Sequence, residues 1–259
     1  MTSHEIDLEV IGEGVQLGEI TLDPGETVIA EAGAMVYMED GIDFQAVMGD
    51  GSKPTSGLMD KILSAGKRML TGESLFLSHF TNTSSSRKVV AFAGSIPGSI
   101  VGIELSKVGG GITCQRDSFL CAAKGTEITV TFAKKLGAGF FGGEGFILQR
   151  VNGDGKLVVM TGGKVIKKQL HNETLRVDTG CLVAFTDGIS YDIAPAGNAG
   201  SMLFGGEGLF LTTLTGTGTV LLQSTPASKM SQTLMRNLPS SSGTGNKPIG
   251  SLGSILERM

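Results

Sequence analysis

FFGGEGFILQRV, residues 140–151, decides the fold, because the chain writes it twice more, as MLTGESLFLSHF at 69–80 and LFGGEGLFLTTL at 203–214. Superimposed, the windows read apolar, apolar, small, Gly, Glu, small, three apolar, two mainly polar, apolar. A supersecondary unit repeated in this way needs its neighbours to bury its apolar face. Each window runs into a turn and a second apolar strand: NTSSSR then KVVAF at 88–92, NGDG then KLVVM at 156–160, TGTG then TVLLQ at 219–223. The spacing predicts three hairpins, with Asn, Gly, Asp and Ser supplying the turn geometry.

A second block also recurs. Glu26–Gly33 matches Glu173–Gly180, and a looser copy begins at Asp117, its glycine, Gly125, falling one position late. Linking strands are expected at Ile100–Leu105 and Val165–Leu170, but none follows Gln223. Strands within residues 6–20 are therefore expected to complete the last repeat beside residues 219–223, closing the ring and leaving few free sheet edges.

Composition agrees with an all-β chain. Forty of the 259 residues are glycine with no Gly-X-Y period, only 7 are proline, and 40% are hydrophobic, which excludes collagen and favours turns between buried strands. A net charge of −4 argues against general affinity for nucleic acid. Cys114, Cys121 and Cys181 show no CxxC spacing, and the start MTSHEIDLEV has no basic segment followed by an apolar run, so a reduced, cytoplasmic setting is expected. No apolar stretch approaches the roughly 18 residues of a spanning helix.

Residues 1–225 read as a single triple-repeat β domain, and residues 226–259 as a short helix followed by a flexible tail containing PSSSGTGNKP. The first repeat carries an insertion from Asp40 to Leu70. Within it Leu58, Met59, Ile62 and Leu63 recur at helical spacing, predicting a short helix over 57–66 that reads as a lid on one end of the β body rather than as a basic amphipathic surface for a membrane or partner.

No signature of catalysis emerges, and no cofactor is expected. GAGFFG at 137–142 fits GxGxxG, but a strand rather than a helix follows it, so it is not a pyrophosphate loop. Neither GxxxxGK[ST] nor GxSxG occurs. Glu73, Glu144 and Glu207 stand at the same place in the three windows. Gathered about an axis, three carboxylates would bind a cation or serve as acid and base; exact repetition suits a structural role at each turn better. His79 is the asymmetric position, since Arg150 and Thr213 replace it in the other copies, and a unique function is sought where copies disagree. Lys164, Lys167 and Lys168 make the middle of the chain basic; without interleaved aromatics they read as a solvated strand edge rather than an RNA surface.

The segments EAGAMVYMEDGIDF, KRMLTGESLFLSHFTN and GGEGFILQRVNGDG resemble the altered-inheritance-of-mitochondria, or mitochondrial biogenesis, family and its uncharacterised bacterial branch, over about residues 5–225. The resemblance implies a fold like that of the tryptophan RNA-binding attenuation protein, with strands in three related layers. It also implies a link to inner-membrane organisation in the mitochondrial relatives. The expectation is a non-enzymatic scaffold or interaction protein with an unidentified protein partner, a homo-oligomeric form and a place at a membrane periphery. The alternatives are a metal-binding protein or enzyme using the repeated glutamates, and an RNA-binding module.

Overall fold

A computed structural model describes residues 2–48, 76–134, 146–195 and 210–237, and among these the chain is all-β apart from one α-helix and three short 3-10 turns. Strands β1 (Asp7–Ile11), β2 (Leu17–Leu22), β7 (Lys88–Ala93) and β4 (Met35–Met38) form a four-stranded sheet in that order. A six-stranded sheet runs β5 (Ile42–Met48), β6 (Phe76–Asn82), β3 (Thr27–Glu31), β10 (Phe119–Ala123), β13 (Lys156–Gly162), β8 (Gly98–Glu104). The seven-stranded sheet runs β11 (Glu127–Lys134), β12 (Phe146–Asn152), β9 (Gly111–Gln115), β15 (Leu182–Thr186), β17 (Phe210–Gln223), β14 (Val165–Asp178), with β16 (Ile189–Pro195) also on β17.

The burial pattern explains why several strands are apolar on both faces. In β3, Val28 and Ala30 enter one core cluster with Ile20, Leu22, Phe80 and Phe92, while Ile29 turns to a second cluster with Leu157, Val159, Ile112 and Val183. The six-stranded sheet is therefore packed on both sides, and strands β3 and β10 read as continuous hydrophobic runs. A third cluster, with Phe146, Leu148, Leu182, Phe185, Leu214 and Val220, covers the other face of the seven-stranded sheet. Burial of these side chains is the main stabilising term, at roughly 1.5–3 kcal/mol for each large apolar residue.

The three anticipated hairpins do not form. β6 and β7, on either side of NTSSSR, belong to different sheets, as do β12 and β13 on either side of NGDG. At TGTG the chain does not turn back: β17 runs through, its first half paired with β16 and its second with β15. Gly216 and Gly218 sit at φ 137° and 158°, and a side chain at Gly216 would overlap the Gly188 carbonyl oxygen. These segments pass the strand from one partner to the next, a bend that glycine permits. Among the described residues, the consecutive strands that pair antiparallel are β1 with β2, β5 with β6, β11 with β12, and β16 with β17.

A further expectation is corrected. The N-terminal strands join the strand that follows the first window, β2 pairing with β7, because β17 over 218–223 already has β14 and β15 on its two sides. The N-terminus is also tied down: Ser3 N–H donates to Asp154 Oδ1, His4 N–H to the Lys124 carbonyl, Thr27 N–H to His4 Nδ1, and Ile6 is buried. β12 pairs antiparallel with β9, and β6 with β3. The expected helix over 57–66 lies outside the described residues. The C-terminal helix is present as α1 (Ala227–Asn237).

Candidate functional site

A cavity of about 460 Å³ opens where the ends of β3, β9 and β13 meet the start of α1. Its polar wall includes Glu31, Gln115, Arg116, Asp117 and Gln223, and its apolar wall Ile96, Met160 and Pro226. The size falls within the roughly 300–1,000 Å³ of small-molecule sites.

Each polar residue is held by strand geometry. Glu31 and Gln115 are the last residues of β3 and β9, so both project where the sheet ends. Arg116 and Asp117 follow in a 3-10 turn, with Arg116 Nε 3.9 Å from Asp117 Oδ1. Gln223 ties the wall together, its Oε1 accepting from Gly162 N–H at 2.7 Å and its Nε2 donating to the Gly180 carbonyl at 2.8 Å. A side chain at Gly162 would overlap the Thr225 carbonyl oxygen, and one at Gly180 would crowd Ser228 Oγ. Both glycines let α1 and its leader approach the strand ends.

Charge in the cavity is only partly compensated. Burial and the neighbouring Asp117 carboxylate push the Glu31 carboxyl up to about 7, against the opposing pull of Arg116. Asp117 is also raised, by removal from water, although half its side chain remains exposed. Gln115 is 3% exposed, and its Oε1 has no hydrogen-bond partner. The end of β14 is different: Asp178 Oδ1 accepts from Gly180 N–H at 2.9 Å, and Oδ2 meets Lys229 Nζ of α1 at 3.1 Å.

A second feature is the edge strand β4. Met35, Val36, Tyr37 and Met38 are 40–52% exposed, and β4 is the last strand of its sheet, with Phe44 of β5 also 49% exposed. Among the described residues the outer edge of β4 has no partner strand, and such an apolar edge is a template for another strand.

The residues singled out in the sequence lie elsewhere. Glu73, Glu144 and Glu207 fall outside the described residues. His79 sits in the middle of β6, opposite Ile29 and Gln45, and is not part of the cavity wall. Its counterpart Arg150 makes a two-pronged ion pair with Asp187, lowering the aspartate's pKa, and donates from Nε to Asn152 Oδ1. Lys167 and Lys168 are exposed on β14, and Lys164, just before it, is exposed as well. Among the described residues no group of three or more His, Cys, Asp or Glu side chains is placed to hold a metal ion, and no helix is long and apolar enough to cross a membrane. Sequence reading missed Glu31, Gln115 and Asp117. The available signal was the second block, where Glu31 and Asp178 end matching segments in acidic residues.

Residues 8–225 match the family model described as mitochondrial biogenesis AIM24. An uncharacterized protein of Streptococcus pyogenes serotype M6 is 28% identical over 228 residues, 87% of this chain and 88% of the relative. A crystal structure of another Streptococcus pyogenes protein superimposes with a TM-score of 0.71 at 24% identity, covering 90% of this chain and all of that one; this likeness concerns the fold.

Proposed function

Because the chain belongs to the mitochondrial biogenesis AIM24 family, whose matched relative carries no assigned activity, we propose that it is a non-enzymatic interaction scaffold that self-assembles through the free edge of β4. The carrying observation is that edge, with four consecutive large apolar residues exposed. The reading includes three pseudo-equivalent β repeats in an arrangement like that of the tryptophan RNA-binding attenuation protein, and the pairing pattern supports it. β4·β7, β10·β13 and β15·β17 correspond, as do β3·β6, β9·β12 and β14·β17.

Repeats are joined where β10 pairs with β3 and where β15 pairs with β9. The third junction would set β4 against the Glu173–Asp178 end of β14, yet both are sheet edges. β10 and β15 are buried at nearly every position where β4 is exposed. A second copy offers the strand that fits: its β14 end would pair antiparallel with β4, as β3 does with β10.

Light scattering coupled to gel filtration tests this over a range of protein concentrations. The wild type should associate, and Val36→Lys with Met38→Lys should be monomeric and folded, since charge on an edge opposes pairing. A wild type that stays monomeric throughout removes the proposal. The mitochondrial resemblance adds a setting, the periphery of a membrane, which co-flotation with liposomes tests separately.

A further inference from the structure

We propose that Met35 and Met38 of β4 form an oxidation site at which a hydroperoxide dissolves the β4 assembly, a role that rests on that assembly and supplies its regulation. Both side chains are exposed, at 41% and 40%. They lie on one face of the sheet, opposite Phe92 and Val90, because a bulge between Met35 and Tyr37 takes up Val36.

The repeats fix the place that Met38 takes in the assembly. In each repeat one strand pairs with the third residue of KVVAF, KLVVM or TVLLQ: Met38 is opposite Val90, Cys121 opposite Val158, and Ala184 opposite Leu221. The two closed junctions then set Cys121 against Ala30 and Ala184 against Cys114. All four of these residues are 0% exposed. Where Glu26–Gly33 matches Glu173–Gly180, Ala30 corresponds to Val177. The open junction therefore sets Met38 against Val177 of a second copy, at a position that is fully buried in the other two.

Oxidation changes what that position holds. The hydroperoxide transfers one oxygen to the thioether, which loses two electrons and becomes a sulfoxide; the O–O bond breaks, an S–O bond forms, and the peroxide leaves as an alcohol, or as water where it is hydrogen peroxide. A flexible apolar side chain thereby becomes polar. Val177 offers the new oxygen no donor, and burying a polar group without one is unfavourable. β4 itself stays in place, because its pairing with β7 runs through the backbone. Oxidation thus acts on the edge and leaves the fold intact.

Mass action gives the site a signature. Sulfurs covered in the junction are shielded, so the reaction proceeds through the dissociated copy and slows as protein concentration rises. Methionines that were merely exposed would oxidise at a rate independent of concentration.

Hydrogen peroxide treatment of the associated wild type tests the proposal, with light scattering for assembly, peptide mass spectrometry for the sites and circular dichroism for the fold. Sulfoxide at Met35 and Met38 should weaken association by about tenfold or more. Methionine sulfoxide reductases with dithiothreitol should restore it, and oxidation of both residues should slow with rising protein concentration. Met35→Leu with Met38→Leu should lose the response to peroxide, and the concentration dependence in the wild type decides the matter if that variant does not associate. A wild type that is monomeric before peroxide removes the assembly and this site with it. One that stays associated with both methionines as sulfoxides removes this site alone. Oxidation at a rate independent of concentration, dissociation that accompanies loss of the β signal, or peroxide-driven dissociation of the leucine variant also overturns the proposal.

Discussion

At the residue scale, Gly98 shows how closely strands approach in this molecule. A Cβ at that position would overlap the Thr161 carbonyl oxygen, and the backbone there bridges to Gly163. Gly98→Ala should therefore destabilise by on the order of 3 kcal/mol, read as a lower urea midpoint with an unchanged slope. Glu31 makes a prediction about pH. Its folded-state carboxyl titrates at about 7, above the ordinary 4.5 of a glutamate, so the native state holds the proton longer than the unfolded chain. Its contribution is thus fully present below about pH 4.5 and is lost as pH rises towards 7. Glu31→Gln should be neutral at pH 4.5 and more stable than wild type by about 1–3 kcal/mol at pH 8, measured by urea unfolding at both values. The cysteines divide by burial: Cys114 and Cys121 are buried with thiols pushed up, Cys114 to about 12, whereas Cys181 is partly exposed. A thiol reagent should label Cys181 alone in the native protein and reach all three after unfolding, a difference that mass spectrometry resolves. Glu31 was legible only as a member of a recurring block. Its desolvation and its neighbour Asp117 come from tertiary packing, which brings the end of β3 and the 3-10 turn after β9 to one cavity.

At the element scale, β4 carries the contrast that matters. MVYM is as apolar as FLCAA in β10 or LVAFT in β15, yet it alone is exposed along its length. Local sequence made all three strands; only the arrangement of sheets leaves one uncovered. The backbone amides of β4 that do not face β7 should exchange hydrogen rapidly in dilute protein and become protected as concentration rises, which hydrogen exchange followed by mass spectrometry detects. The β17 segment makes the complementary point. TGTG reads as a turn between strands, but Phe210–Gln223 is one strand, since β14 pairs along its whole length and supplies the hydrogen bonds that a turned-back partner would have made.

At the scale of the whole molecule, the N-terminus closes the first part of the body rather than the last. Ile6 is in the first core cluster, and residues 3 and 4 reach Asp154, Lys124 and Thr27. Removing residues 1–10 should expose that cluster beneath β2 and lower the thermal midpoint by several degrees, as expected when a few kcal/mol of burial is lost from a domain of this size. Apolar runs, glycine-rich turns and the thrice-written window determined by themselves that the chain is all-β and which family it resembles, because strand periodicity and turn chemistry are local properties. Which strands pair, which edge stays free and which carboxyl is drawn out of water were decided by tertiary structure alone. Strands in three different sheets, distant in sequence, must meet before those properties exist, and a local pattern does not specify its distant partner.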